Sequence, residues 1–103
     1  MARGIKKDIR SLDMFHEDIA RIMLNDKCGF IDKLGKIIFL PQLDDASSFS
    51  EGLAHAELNG RWGFIDKSGK VIIQPLWDNA FSFSEGIALV KLNSKWGYID
   101  RFG

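Results

Sequence analysis

Gly63-Phe64-Ile65-Asp66-Lys67 recurs along this chain at a fixed interval and decides its fold. The same pattern stands at Gly29–Lys33 and, with conservative changes, at Gly97–Arg101, so that successive copies lie 34 residues apart (63 − 29 and 97 − 63). A second block, Phe49–Ala54, recurs at Phe83–Ala88 with the same offset. Aligning residues 28–61 with residues 62–95 gives 19 identities in 34 positions without a gap. The chain is therefore a tandem repeat.

The repeat divides the chain into five parts. Residues 28–61 and 62–95 are full units, and residues 96–103 begin another. Residues 15–27 form the end of a degenerate unit, in which Asp18 replaces a glycine. Residues 1–14 match no part of the unit. Ile5, Ile9 and Leu12 are spaced by four and three residues, as on an amphipathic helix. We therefore expect residues 1–14 to form an N-terminal cap that is either a short helix or irregular.

Turn chemistry within the unit indicates β-structure rather than pairs of helices. Asn59-Gly60 supplies the two positive-φ residues of a type I′ hairpin turn. Asp66-Lys67-Ser68-Gly69 predicts a second turn, and Pro75, which cannot donate to a ladder, is expected to end the strand that follows. We expect strands near 53–58, 61–66 and 70–74. The prediction is an all-β array of 34-residue units of three short antiparallel strands, open and solenoid-like, or alternatively propeller-like blades.

The link between units should supply the packing between them. Phe49 and Phe83 are expected to fill the inter-unit core, while Gly52 and Gly86 permit the bend. The last strand carries Trp96, Tyr98 and Ile99, which have no visible cover in the sequence that follows. We therefore expect a fragment-like array that self-associates through an open C-terminal edge or is marginally stable.

These motifs resemble the bacterial WG-repeat family, also called KWG repeats. The resemblance rests on Trp62–Lys70, on Trp96–Asp100 and on Phe83–Gly86, and it covers roughly residues 15–103. Cys28 departs from the family pattern by replacing the tryptophan, and Asp18 by replacing the glycine. The resemblance implies arrays of short β-strands, often attached to other domains, and it implies no particular activity.

Composition excludes several classes of partner. Lys plus Arg number 14 and Asp plus Glu number 14, so there is no basic surplus for a nucleic-acid partner. No apolar run reaches the length of a membrane-spanning helix, and no secretory signal follows Met1, so we expect no membrane partner and a cytoplasmic location for the chain as it stands.

The repeated carboxylates are the residues most suggestive of chemistry. A catalytic site brings different groups together once, whereas a fold needs the same group in every unit, so we interpret these carboxylates as structural. We expect no catalytic, cofactor-binding or metal site, and no enzyme activity. The repeated acidic residues are Asp32, Asp66, Asp100, Glu17, Glu51 and Glu85.

The sequence favours a non-enzymatic module for binding or scaffolding, with a structural spacer in a larger protein as the alternative. A partner would be a protein, a peptide or a cell-surface polymer. Specificity should lie at positions that differ between units, because repeated positions serve the fold. The candidate contacts are Trp77, Phe81, Gln42 and His55, whose counterparts are Leu43, Ser47, Leu76 and Leu89.

Overall fold

Every regular element in the computed structural model, which describes residues 9–12 and 14–103, is a β-strand. In chain order the strands are β1 (Ile9–Leu12), β2 (Ile19–Leu24), β3 (Lys27–Asp32), β4 (Ile37–Leu43), β5 (Asp45–Ala46), β6 (Leu53–Leu58), β7 (Arg61–Asp66), β8 (Val71–Trp77), β9 (Asn79–Ala80), β10 (Ala88–Leu92) and β11 (Lys95–Ile99). The predicted all-β tandem repeat is confirmed.

The strands form three antiparallel sheets in which neighbours in sequence are neighbours in space. Their orders are β1-β2-β3-β4, β5-β6-β7-β8 and β9-β10-β11. None of these sheets closes on itself within the described residues, and the array measures 45 × 25 × 19 Å. The open-array prediction is confirmed, with one addition: the link contributes a two-residue strand, β5 or β9, on the outer side of β6 or β10.

Strand β1 corrects the expectation for the N-terminal segment. Residues 9–12 pair antiparallel with β2, placing Leu12 opposite Ile22, so the helical alternative is wrong for these residues. The edge of β2 presents backbone groups that need partners, and a strand satisfies them where a helix would not. In the later units β5 and β9 occupy the corresponding flank. The rest of the predicted segment, residues 1–8 and 13, lies outside the described residues.

The hairpin between β6 and β7 forms as the Asn-Gly pair predicts. Asn59 and Gly60 have φ values of 55° and 82°, and the ladder runs in register from Leu58 opposite Arg61 to Leu53 opposite Asp66. Both strands have the predicted bounds. Asn25-Asp26 and Asn93-Ser94, which replace the glycine by other residues, also adopt positive φ.

Strand β8 continues through Pro75 to Trp77, so the prediction that proline ends it is wrong. Phe64 lies opposite Ile73 while Trp62 lies opposite Trp77, so three residues of β8 bulge over the single residue Gly63. A proline is tolerated in such a bulge because no N–H is needed for the ladder there. Strand β4 makes the same bulge over Gly29.

The core lies between successive sheets rather than within one sheet. The rings of Phe30 and Phe49 meet edge-to-face with centroids 4.9 Å apart, and those of Phe64 and Phe83 repeat this geometry. Both link phenylalanines are buried, as predicted. Each sheet, together with the link that leads into it, therefore covers the apolar face of the sheet before it.

Candidate functional site

The repeated aspartates close turns. Asp66 accepts hydrogen bonds from the backbone N–H groups of Ser68 and Lys70 at 2.9 and 3.0 Å, and Asp32 does the same for Leu34 and Lys36. Burial alone would raise the pKa of Asp66, but the hydrogen bonds from Ser68 and Lys70 outweigh it and hold the pKa below its ordinary value. The geometry agrees with the structural interpretation of these residues.

The repeated glutamates connect one unit to the next. The Glu17 carboxylate accepts hydrogen bonds from the backbone N–H groups of Glu51 and Gly52 at 2.7 and 2.8 Å. The Glu51 carboxylate accepts the same pair from Glu85 and Gly86. These N–H groups point outward together because both turn residues have positive φ. We call this series the glutamate ladder.

The last unit exposes apolar positions that are buried in the earlier units. Tyr98 is 69% exposed, whereas Phe30 and Phe64 at the same repeat position are 0% and 1% exposed. Ile87 is 44% exposed, whereas its counterpart Leu53 is fully buried. Nothing in the described part of the chain covers these side chains. The uncovered surface is called the C-terminal face, and its residues are Phe81, Ile87, Leu89, Trp96 and Tyr98.

An aromatic stack stands on this face. The rings of Phe81 and Trp96 lie nearly parallel, at 26°, with centroids 5.6 Å apart, and the Lys91 ammonium lies 5.4 Å from the Trp96 centroid. Beside the stack is an open groove lined by Phe81, Leu89 and Tyr98 among others. Exposed aromatic side chains in a contiguous patch are typical of protein-binding surfaces.

Glu85 adds a hydrogen-bond acceptor, its carboxylate, to the C-terminal face. Its carboxylate is the next member of the glutamate ladder, and it makes no hydrogen bond or ion pair with the described residues. The corresponding carboxylates of Glu17 and Glu51 each accept two adjacent backbone N–H groups. The face therefore combines an apolar patch with an acceptor for a pair of backbone donors.

The four predicted contact residues do not come together. Phe81 alone lies on the C-terminal face, Gln42 is exposed on β4, and Trp77 is half-buried on β8 opposite Trp62. His55 lies on β6, with its ring centroid 5.1 Å from that of Trp62. Trp62, which stands at a repeated position, is itself only half-buried. A role for these residues in partner contact stays a prediction.

Two potentially reactive side chains are enclosed. The His55 Nδ1 is buried and has no hydrogen-bond partner in the described structure, and burial lowers the pKa of His55 to about 4. Cys28 is buried, and burial raises the pKa of its thiol. Both environments favour the neutral forms, so neither group is poised as a nucleophile or a proton carrier near neutral pH.

The described residues contain no cluster of three His, Cys, Asp or Glu side chains that could hold a metal ion. Within residues 9–12 and 14–103, no helix could cross a lipid bilayer. A cavity of about 130 Å³ between the first two full units is lined by apolar residues and Gln74, without converging polar groups. The C-terminal face is thus the strongest candidate.

Stacked antiparallel units joined by a glutamate ladder define a tandem β-repeat protein. The family model described as a WG-containing repeat matches residues 29–62 and again residues 62–96. The chain belongs to this family of WG-containing repeats. No curated protein and no solved structure gave a significant match.

The sequence predicts an exposed C-terminal edge but does not predict all of the residues that form it. Trp96 and Tyr98 are exposed as expected, whereas Ile99 is partly buried against the core of the preceding unit. Glu85 was interpreted as structural only. Its difference from the other two is seen when the ladder is followed, because Glu17 and Glu51 accept hydrogen bonds from the next turn and the Glu85 carboxylate accepts none from the residues that the structure describes.

Proposed function

We propose that this protein is a non-enzymatic binding or scaffold module whose C-terminal face contacts a protein partner. The observation that carries the proposal is the exposure of Tyr98, at a position where both earlier units bury an aromatic ring. An exposed apolar patch of this kind favours association. The enclosed His55 and Cys28 and the turn-forming aspartates offer no converging catalytic groups.

The internal packing defines what such a partner should present. Between successive sheets, the face of one sheet receives a phenylalanine ring of the following link and a two-residue turn whose N–H groups reach a glutamate. A partner that presents an aromatic side chain next to a turn with two outward N–H groups would satisfy both Tyr98 and Glu85. A protein partner therefore fits this face, because the paired donors that the equivalent glutamates accept are backbone N–H groups.

Site-specific photo-cross-linking tests the proposal in cells that express the protein. A benzophenone amino acid at position 98 should form adducts with a discrete protein, and adducts should decrease when Glu85→Ala is added. The matched control carries the same probe at position 34, where Leu34 is 85% exposed but far from the face. Adducts of equal yield at both positions, or none at position 98, would contradict a binding role for the face.

The alternative, a structural spacer, is favoured by one specific observation. The glutamate ladder and the shared aromatic core join each unit to the next without an intervening flexible segment. A spacer needs this stiffness and needs no separate partner. The cross-linking experiment separates the two functions, since a spacer gives no adduct with another protein at position 98.

A further inference from the structure

A cavity lies between the first two sheets, where Pro75 in the bulge of β8 forms part of its wall. The second sheet contributes Ala56 of β6 and Ile65 of β7, and β4 of the first sheet contributes Phe39 and Leu43. The cavity therefore belongs to the stacking of the two sheets. Its volume of about 130 Å³ is close to the volume of about 150 Å³ at which an apolar cavity takes up benzene.

The turn between β7 and β8 fixes the distance between these sheets. A Cβ built at Gly69 would lie 2.5 Å from the carbonyl oxygen of Ile38 in β4, so the backbone of the turn already touches the backbone of the first sheet. Closer approach of the two sheets is blocked at this contact. The side chains of Leu43 and Ala56 are too small to fill the space that this spacing leaves between β4 and β8.

The residues that leave this space differ from one unit to the next. Where the second and third sheets stack, Trp77 stands at the position of Leu43, and Val90 stands at the position of Ala56. Val90 is buried and Trp77 packs against the same core cluster, so the larger side chains occupy room in that core. The cavity is therefore a feature of one position along the array and not a general consequence of the repeat.

The wall of the cavity determines which ligand chemistry fits. Most of its surface is apolar, and Gln74, the polar side chain among the lining residues that the structure describes, is exposed. Leu58 and Val71 also line the cavity and are each 39% exposed, so the cavity opens to solvent on this side. A polar group inside would lose its hydrogen bonds to water, whereas an apolar group would gain dispersion contacts with both sheets.

We propose that this cavity binds a small, neutral, apolar molecule the size of a benzene ring. The ring, or the end of an aliphatic chain of similar volume, contacts Leu43 on one sheet and Ala56 on the other. A longer ligand keeps its polar end at the opening beside Gln74. Because the ligand contacts both sheets, its binding stabilises their stacking. The inference goes beyond the proposed function, since the described lining of the cavity includes no residue of the C-terminal face.

Titration of the full chain with benzene, followed by two-dimensional NMR, tests the inference. We expect saturable shifts at Ala56, Ile65 and Ile73, with a dissociation constant in about the millimolar range that so small a ligand can reach. The thermal unfolding midpoint should rise as benzene is added, because a ligand that binds the folded form stabilises it. Shifts that do not saturate, or that centre on Leu89 and Tyr98 instead, would overturn the proposal.

Ala56→Val installs the residue found at the equivalent Val90 and fills part of the cavity. Benzene binding should weaken at least about tenfold, while the unfolding midpoint without benzene stays the same or rises, because the added methyl groups enter existing space. The matched control is Glu57→Lys, which installs the residue of the equivalent Lys91 beside Ala56 but outside the described lining. It should bind benzene like the wild type. Equal affinity in Ala56→Val and the wild type would contradict the proposal.

Leu43→Trp is a second variant that fills the cavity from the opposite sheet, with the residue found at the equivalent Trp77. A folded Leu43→Trp that binds benzene with wild-type affinity would also overturn the inference, and the wild-type titration decides it where neither variant folds. The two proposals fail separately. Absence of benzene binding leaves the Glu85-dependent adducts at position 98 unaffected, and absence of those adducts leaves benzene binding at Ala56 unaffected.

Discussion

At the scale of single residues, the backbone of the neighbouring strand explains why glycine follows Cys28 and Trp62 in the first two full units. Gly29 and Gly63 lie beneath backbone atoms of the neighbouring strand, closer than any side chain would allow. The requirement is therefore steric, and it comes from the bulge rather than from a positive φ. Gly97 occupies the same repeat position without that neighbour, which makes the two sites a natural pair for comparison.

Gly63→Ala should lower the free energy of unfolding by about 3 kcal/mol, because a Cβ there forces the β8 backbone to move. Gly97→Ala should change it by less than about 0.5 kcal/mol. Urea denaturation of both variants measures the difference. Equal losses would show that the position is constrained by something other than the bulge.

His55 is a residue whose chemistry depends on pH. Burial lowers its pKa from the ordinary 6.5 to about 4, and the negative charge of Asp45 only partly opposes this. In the unfolded chain the imidazole takes up a proton as pH falls below about 6.5, whereas in the folded protein it stays neutral until about pH 4. The stability that neutral His55 provides is complete above pH 6.5 and is lost as pH falls toward 4.

The wild type should therefore lose roughly 2 kcal/mol of unfolding free energy between pH 7 and pH 5 through this residue. His55→Leu, which installs the residue found at the equivalent Leu89, should remove most of that dependence. Denaturation curves at both pH values measure the effect. A wild type and variant with the same pH dependence would show that the ring is solvated in solution.

At the scale of elements, the sequence predicts hairpins well because turn chemistry is local. Asn59-Gly60 and Asp66–Gly69 contain the groups that close their own turns, so the bounds of β6 and β7 follow from them. The predictions were wrong where a residue distant in the sequence determines the local structure. Strand β8 passes Pro75 because Gly63 accommodates a bulge, and residues 9–12 form a strand because β2 offers an edge. Neither partner is visible in a local window of sequence.

The glutamate ladder couples elements that are 34 residues apart. Each carboxylate satisfies two backbone N–H groups of the following turn, which would otherwise be left to solvent. The ladder also fixes the position of one link above the previous one, and Lys67 lies 3.7 Å from the Glu17 carboxylate as a further partner.

Glu51→Ala should lower the free energy of unfolding by about 1 kcal/mol, because two hydrogen bonds to a charged group are lost at an exposed site. Glu85→Ala is the matched control and should be neutral, since its carboxylate has no partner among the described residues. Chemical denaturation at low salt measures both. A destabilising Glu85→Ala would place its carboxylate in an interaction that the structure does not show.

At the scale of the whole molecule, stability comes from contacts between neighbouring units. The core cluster around Phe49 joins residues of two sheets, and the cluster around Phe83 joins the next two. In such an array a unit is stabilised by its neighbours, so the unit with an uncovered face is the least protected. This explains why candidate contacts could not be chosen from variation between units alone. His55 and Trp77 differ from the residues at the equivalent positions of other units. Whether a side chain is exposed depends instead on the neighbouring part of the array, and Trp96 and Tyr98 are exposed.

The uncovered C-terminal face should make the protein self-associate at high concentration. Phe81, Trp96 and Tyr98 form a contiguous apolar surface, and burying such a surface is favourable in proportion to its area. Size-exclusion chromatography with light scattering over a range of concentrations should show the apparent mass rising with concentration. Tyr98→Lys should return the protein to a monomer, because burying the added ammonium in a second copy would require its desolvation.

Leu34→Lys is the matched control for this experiment. It introduces the same charge at a side chain that is 85% exposed on the turn between β3 and β4, distant from the C-terminal face. Self-association that persists in Leu34→Lys and disappears in Tyr98→Lys assigns the contact to the face rather than to net charge. A wild type that remains monomeric at every concentration would contradict the prediction. It would mean that stacking within the chain, such as that of Phe81 on Trp96, stabilises the exposed rings enough to make association with a second copy unfavourable.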